Sequence, residues 1–530
     1  MRGSPWLAAL VAALLPAQAA AFDVELPVIG TMGFDVTESL LIRWLDDNFD
    51  RNDRDDQVLG ILSKTNLIVT AGPATAGVRL DVALFFNEAE CGAGTESALC
   101  FFKDYIRPEK TWGTWDFGDA SLTAGDVYAS FGRGLVLSVR KIDELGIDTT
   151  IRGGRAALTT GPLSVQVVAG ATNVQNVDNT SQQFIEDPDD VLVGAEASLT
   201  LPGGVELGVR GVQAFFEGSA SIGHEERTTI GGASLSLGDL FGVAALYLEG
   251  AILRHTDEGS GARIVDEGGA VYGSLSVFAG AFNVLLEGKH YRKFQLQAAD
   301  PRLASFGIVY AEPPALERFD QIVPNNSDTT GGRLRAEYSV LSTGTRIHAN
   351  GLFYVYNNRE EDPLEDGAWA LHAYGGVRQD FGLGFFADVS GGWREERELL
   401  TDELVLKMWH AEGEVNLPLG GPHHLGLKVN HQSEVKRGVP LNHSFIRGQA
   451  IATWSLAPIL RVAALYGYTT RNEVLEPVHN VAGEVSWDFA SWGTLTAFGG
   501  QIPGGILCVS GTCRSLPAFS GASLETVLRF

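Results

Sequence analysis

Stretches of about ten residues in which apolar and polar side chains alternate recur along almost the whole chain. In 77–86, Val78, Leu80, Val82, Leu84 and Phe86 share one face and Arg79 and Asp81 the other. In 460–471, Leu460, Val462, Ala464, Tyr466 and Tyr468 oppose Arg461 and Arg471, and in the last ten residues Ala522, Leu524, Leu528 and Phe530 oppose Glu525 and Arg529. A period of two is the signature of a strand with two different environments on its faces. Repeated at this length, it is what a membrane-spanning barrel strand requires, with one face on lipid and the other on a polar lumen. Long helical periodicities are missing, and no apolar run after the N-terminus reaches the eighteen residues of a spanning helix. The fold class expected is all-β: a transmembrane, antiparallel, up-and-down β-barrel.

Connection lengths set the topology, because such barrels have short periplasmic turns and long outer loops. Turn chemistry marks short connections at Gly72-Pro73, Gly161-Pro162, Pro202-Gly203-Gly204, Gly238-Asp239, Thr343-Gly344, Gly382, Gly420-Gly421-Pro422, Ala457-Pro458 and near Ser491. Polar stretches at 45–57, 88–106, 174–190, 217–226, 255–267, 295–330, 359–368, 397–403, 435–442, 472–477 and 501–518 read as outer loops. The alternation fails only if 121–129 and 135–141 are both full strands around the Gly132-Arg133-Gly134 turn. Treating 130–148 as one outer connection restores it and predicts about 24 strands (22–26), an even number. A barrel that wide needs an obstruction. The segment 130–148 is the internal candidate, with Leu135-Val136-Leu137 beside charged residues. Arg133, Arg140, Lys141, Asp126, Asp143 and Glu144 are the expected constriction residues, selecting solutes by charge. An ordinary hairpin is the competing reading of this segment. Lumen-face charges are expected at Arg79, Asp81, Glu206, Arg210, Glu287, Lys289, Arg461, Glu525 and Arg529.

Composition narrows the picture. The 530 residues are 45% apolar yet carry a net charge of −26, which argues against both disorder and nucleic-acid partners. The outer stretches together carry −26, 130–148 carries zero, and the remainder sums to zero. Such a rim should repel anions and attract divalent cations, giving a cation-leaning pore unless the arginines of 130–148 override it. The 64 glycines, against a usual ~7%, point to many tight bends. Arg2, the apolar stretch 6–15 and Ala19-Ala20-Ala21 read as a signal peptide spanning 1–21. A short periplasmic segment, 22–33, and a single barrel, 34–530, would follow, with no N-terminal plug domain. The location implied is the outer membrane of a Gram-negative bacterium, with membrane lipid and lipopolysaccharide as surroundings.

The alternating tail Leu524, Thr526, Leu528, Phe530 resembles the C-terminal signal read by the barrel-assembly machinery. Another resemblance rests on Tyr105 with Pro108-Glu109-Lys110, on Gly125-Asp126, Tyr128 and Gly132-Arg133-Gly134-Leu135, and on Arg140-Lys141 and Glu144-Leu145-Gly146-Ile147-Asp148. With Cys508, Cys513-Arg514, Pro517, Phe519 and Gly521, these positions resemble an uncharacterised family of bacterial outer-membrane β-barrel proteins. The acidic opening at 46–56 is more loosely similar to alginate-export-type barrels. The resemblance implies envelope location and a barrel, and carries no substrate or site residue.

The cysteines suit an oxidising compartment, with Cys91–Cys100 and Cys508–Cys513 the natural local disulfides. The run holding Asp46, Asp47, Asp50, Asp53, Asp55 and Asp56 could take surface Ca²⁺ through clustered oxygens, but Arg51 stands where an EF-hand loop has Gly, and a solvated acidic loop is the plainer reading. No other cofactor is expected. The histidines His410, His423, His424, His431 and His443 fit no metalloprotease spacing, and no nucleophile elbow or phosphate loop occurs, so no enzyme is expected. The leading expectation is a porin-like channel or export barrel for polar solutes. A sheath for a secreted or lumen-threaded partner protein, or a surface interaction protein using loops such as 295–330, are the alternatives.

Overall fold

The computed structural model describes residues 22–26, 30–49, 56–86, 102–188, 190–216, 225–259, 262–298, 306–318, 326–357, 367–437, 442–471, 479–509 and 512–530. The segment 1–21, expected to be a signal peptide, lies outside them. Twenty-four antiparallel strands, from Gly30–Asp47 to Phe519–Arg529, form one closed sheet in which successive wall strands pair. The first and last strands close it, from Thr37 opposite Arg529 to Trp44 opposite Ala522. Closure extends to the terminal residue: the Val36 N–H donates to the Phe530 carbonyl at 2.8 Å, and the Phe530 N–H to the Val36 carbonyl at 2.7 Å.

The two faces follow the alternation. Outward positions such as Val209, Ile252 and Val389 are more than 60% exposed, a density of uncovered apolar surface that only lipid makes favourable. At the short-turn end Phe117, Phe241 and Trp492 stand exposed, and the Trp492 ring stacks on Phe530 with centroids 5.6 Å apart. Aromatic residues there mark a membrane interface. Register sets Arg210 beside Glu196, Glu287 beside Ser274 and Asp81 beside Lys64, so charged and polar residues share a face from strand to strand. With strands ~4.8 Å apart and tilted ~40°, 24 of them enclose a cylinder roughly 45–50 Å across.

Some boundaries differ from expectation. Phe22–Leu26 pairs with the start of Gly30–Asp47, Phe22 lying opposite Phe34. Gly238-Asp239 falls inside the strand Glu225–Leu240, and the turn is 241–243, where Gly242 takes φ +72°. The stretch 255–267 is the tip of a long hairpin: Ala244–Gly259 and Ala262–Ala279 stay paired to Gly259 opposite Ala262, so its polarity reflects strands rising above the membrane. Between Ala120–Val127 and Ile147–Thr160, which pair directly in the wall, only Ala129–Phe131, Leu137–Val139, Lys141–Ile142 and a 3-10 turn at Asp143–Leu145 intervene.

Candidate functional site

That intervening segment lies against the lumen side of the wall. Phe131, Leu135, Val136 and Leu137 are fully buried, and they form one cluster with the inward-facing Val212, Ile230 and Tyr272. Burying four such side chains contributes on the order of 1.5–3 kcal/mol each. Missing side chains in the wall make the space. A Cβ on Gly194 would stand 2.8 Å from the Phe131 ring, and one on Gly232 would stand 3.0 Å from Val136 Cγ2. Glycine in these strands therefore serves packing as well as turning.

Polar contacts fix the tip. The Gly132 N–H donates to Glu196 Oε1 at 2.9 Å and the Arg133 N–H to Glu249 Oε2 at 3.2 Å. Both carboxylates also pair with Arg210, which is buried beneath the turn. The Arg133 guanidinium lies over the Tyr247 ring, 4.3 Å from its centroid. Gly132 sits at φ +56° directly over Arg210, where a Cβ would overlap the guanidinium. The turn thus needs glycine both for its conformation and for its closeness to the wall.

Three further connections fold inward and interlock with this one. From 306–318, the Tyr310 carbonyl accepts the Ser138 N–H at 2.7 Å, and the Glu312 N–H donates to the Gly134 carbonyl at 2.9 Å. The Glu312 carboxylate takes Ser138 Oγ at 2.8 Å and Arg140 Nε at 2.6 Å. From 175–188, Asp178 pairs with Arg514 of the connection before the last strand, and Arg514 also donates to the Leu145 carbonyl at 2.8 Å. Burial alone would raise the Asp178 carboxyl, but the hydrogen bonds and charge of Arg514, with Ser181 and Thr180, hold it below the usual carboxylate range. Asp190 accepts the Tyr310 hydroxyl at 2.6 Å, joining two of these connections.

The expected constriction residues separate accordingly. Arg133 and Arg140 are tied to the wall and to Glu312, Lys141 pairs with Asp143 at 2.6 Å near the surface, and Glu144 is exposed. Asp126 belongs elsewhere. It is buried, accepting the Thr111 N–H at 2.7 Å and Asn173 Nδ2 at 2.7 Å beside Arg152 at 3.4 Å. Next to it Lys110 and Arg79 share Asp148, and Arg79 also pairs with Asp81. Of the other expected lumen charges, Glu287 is paired with Arg333, and Lys289 bonds Asn326. Arg461 pairs with Glu484 at 2.9 Å, and Glu525 accepts Ser39 Oγ at 3.3 Å. Glu206 and Arg529 are exposed to the lumen.

Two expectations need correction. The stretch 295–330 is not all surface: Ile308, Tyr310 and Leu316 are buried in the lumen, because an apolar residue every few positions gives it a core face. Nor is the loop acidity wholly at the rim. Asp178, Asp187, Glu312 and Glu317 are neutralised inside by Arg514, Arg107, Arg140 and Arg394. His410 meets the buried His372, 38 residues away in sequence. Cys508 and Cys513 are register partners in the hairpin Gly505–Val509 and Thr512–Leu516, while Cys91 and Cys100 lie outside the described residues. Asp46 and Asp47 end the first wall strand, and Asp50, Asp53 and Asp55 lie outside the described residues.

Residues 99–300 match the model of a family of unknown function, DUF6029. They include the motifs from Tyr105 to Asp148; the looser likeness of 46–56 to alginate-export barrels finds no support in these comparisons. No curated protein matches the chain. Among solved structures, the siderophore receptor PirA from Pseudomonas aeruginosa is similar at 7% identity, covering 94% of this chain and 80% of that one, with a TM-score of 0.48. The P pilus usher PapC translocation pore aligns at 11% identity over 94% and 99% of the chains, TM-score 0.44. The E. coli P pilus tip assembly intermediate PapC-PapD-PapK-PapG aligns at 10% identity over 97% and 62%, TM-score 0.50. The fold is that of an outer-membrane β-barrel, and the chain is an outer-membrane protein.

Proposed function

We propose that this protein is an outer-membrane channel or export barrel for polar solutes whose lumen is closed by its own inward-folded connections. The observation that carries the reading is the packing of 131–139 beneath 306–318. It is a small apolar core inside the barrel, held to the wall by noncovalent polar contacts of Gly132 and Arg133 and to 306–318 by those of Ser138 and Arg140. Occupation is uneven around the wall. Lumen-side Arg447 and Arg461 keep 47% and 56% of their side-chain surface, while Arg210 across the barrel keeps 3%. The strands between His423 and Ile502 are thus the less covered part of the wall, and their lumen-side charges are paired, Arg447 with Glu434 and Arg461 with Glu484.

A sheath around a threaded partner needs room in the lumen, part of which the inward connections occupy. The terminal strand, paired to its last residue, suits recognition by the barrel-assembly machinery. Purified protein in planar bilayers under a salt gradient tests the reading. Ion conductance with a cation-leaning reversal potential supports it, and silence at all voltages in folded protein overturns it.

A further inference from the structure

The inward segment 306–318 carries Glu317 and Arg318, and these two residues meet the wall at a chain of four ionisable groups. His372 Nδ1 lies 3.2 Å from Glu317 Oε2, His372 Nε2 lies 2.9 Å from His410 Nε2, and His410 Nδ1 lies 2.7 Å from Glu412 Oε1. The histidines come from Ala368–Gly382 and Leu404–Gly420, with the strand Phe385–Glu398 between them. They touch across it because the intervening residue is Gly392, where a Cβ would fall 2.5 Å from His410 Nε2. Neither imidazole has any exposed surface.

Counting protons shows what this arrangement requires. Glu317 accepts Tyr354 and Arg394 on one oxygen at 3.0 and 2.9 Å, and Glu412 accepts Ser390 at 3.0 Å with Arg318 at 3.3 Å, so both are surrounded by donors and act as ionised acceptors. Burial would raise the Glu317 carboxyl, but Arg394, His372 and Tyr354 hold it below its ordinary value. Each Nδ1 must then carry a proton. Two neutral rings have none left for the third bond, and two bare Nε2 lone pairs at 2.9 Å repel. The charges close on the same answer. Glu317, Glu412 and Glu396 against Arg394 and Arg318 leave one negative charge, which one extra proton cancels. Of the other groups facing the cluster, Arg333 is paired with Glu287 and Arg335 with Glu337, while Tyr354, Tyr356 and Tyr374 are neutral phenols. A metal ion fits poorly, because two nitrogens bound tetrahedrally at ~2.0–2.1 Å would stand about 3.3 Å apart, farther than the 2.9 Å found between the two Nε2 atoms.

We propose that His372 and His410 form a proton-binding site that latches 306–318 to the barrel wall. Uptake of one shared proton from solvent locks the segment, and its loss as pH rises loosens it. Because 306–318 also covers 131–139, the latch would regulate the plug proposed above, and it deepens that reading. Only an N–H bond forms and breaks, with water as the proton's source and sink.

The test is hydrogen–deuterium exchange of the full-length protein in nanodiscs at pH 6 and pH 9, corrected for intrinsic exchange. The region 175–188, which has no histidine, is the internal control. In the wild type, protection of 306–318 relative to the control should fall at least tenfold at pH 9. His410→Gln, which can donate an amide N–H to His372 without an added proton, should show equal protection at both pH values, and His372→Gln is the second variant. Unchanged wild-type protection at pH 9, the same pH response in a folded variant, or stoichiometric transition metal in purified protein would overturn the proposal. Exchange is read without conductance, so the latch can stand in a protein that proves non-conducting, and a conducting protein can lack it.

Discussion

Glu312 joins 306–318 to both Ser138 and Arg140 of the inward segment, and Glu312→Ala is the perturbation with the clearest expected magnitude. The carboxylate is nearly buried and accepts Ser138 Oγ at 2.8 Å and Arg140 Nε at 2.6 Å. The substitution leaves the backbone bond to Gly134 in place. Losing a buried hydrogen bond to a charged acceptor costs ~1.5–3 kcal/mol. The Arg140 pair adds less, about 0–1 kcal/mol, because that side chain is 39% exposed and screened by water. A total of about 1.5–4 kcal/mol should shift the balance between docked and released segments by roughly 10- to 1000-fold. Single-channel recording reads that shift directly as open probability, with Lys141→Ala as control, since the Lys141–Asp143 pair is largely exposed. Open probability unchanged in Glu312→Ala, with heat-modifiable gel migration showing an intact barrel, would refute the assignment of Glu312 as the plug's anchor.

Other consequences follow from the same contacts. Gly194→Leu should push Phe131 out of its seat, raising protease cleavage within 131–139 several-fold while barrel migration on gels stays unchanged. The Asp178 carboxyl is held below its ordinary 3.8, so its contribution is fully present above that pH and is lost as pH falls through the lower folded value. Limited proteolysis should accordingly show 512–518 released only below about pH 4, and in Asp178→Asn already released at pH 7. Non-reducing mass spectrometry should find Cys508 joined to Cys513, whose strands face each other directly; free thiols in freshly purified protein would remove the staple from the account.

Strand number and facing were legible in the sequence because both rest on local rules. A period of two assigns Arg79 and Asp81 to one face wherever the strand begins, and the alternation of short and long connections counts strands by parity, which is why 130–148 could be set apart from the wall. The wall's polar partnerships were not legible. His372 and His410 are 38 residues apart and meet only because register carries them across Gly392. Polar composition around Pro313-Pro314 resembles solvated loop, and the apolar Ile308, Tyr310 and Leu316 are too sparse to announce a core before their partners are known. The glycines of the lumen face were read as bends, yet Gly194 and Gly232 lie in mid-strand and make room for another segment's side chains. Net loop charge does not distinguish a rim carboxylate from Asp178, which is folded against Arg514 inside.

The central claim is that inward-folded connections close this barrel, and deletion of 132–138, joined by a short glycine linker, tests it most directly. Reconstituted side by side in planar bilayers, the wild type should show small, intermittently gated conductance and the deletion a several-fold larger, persistently open one. Equal conductance in two folded proteins would contradict the account.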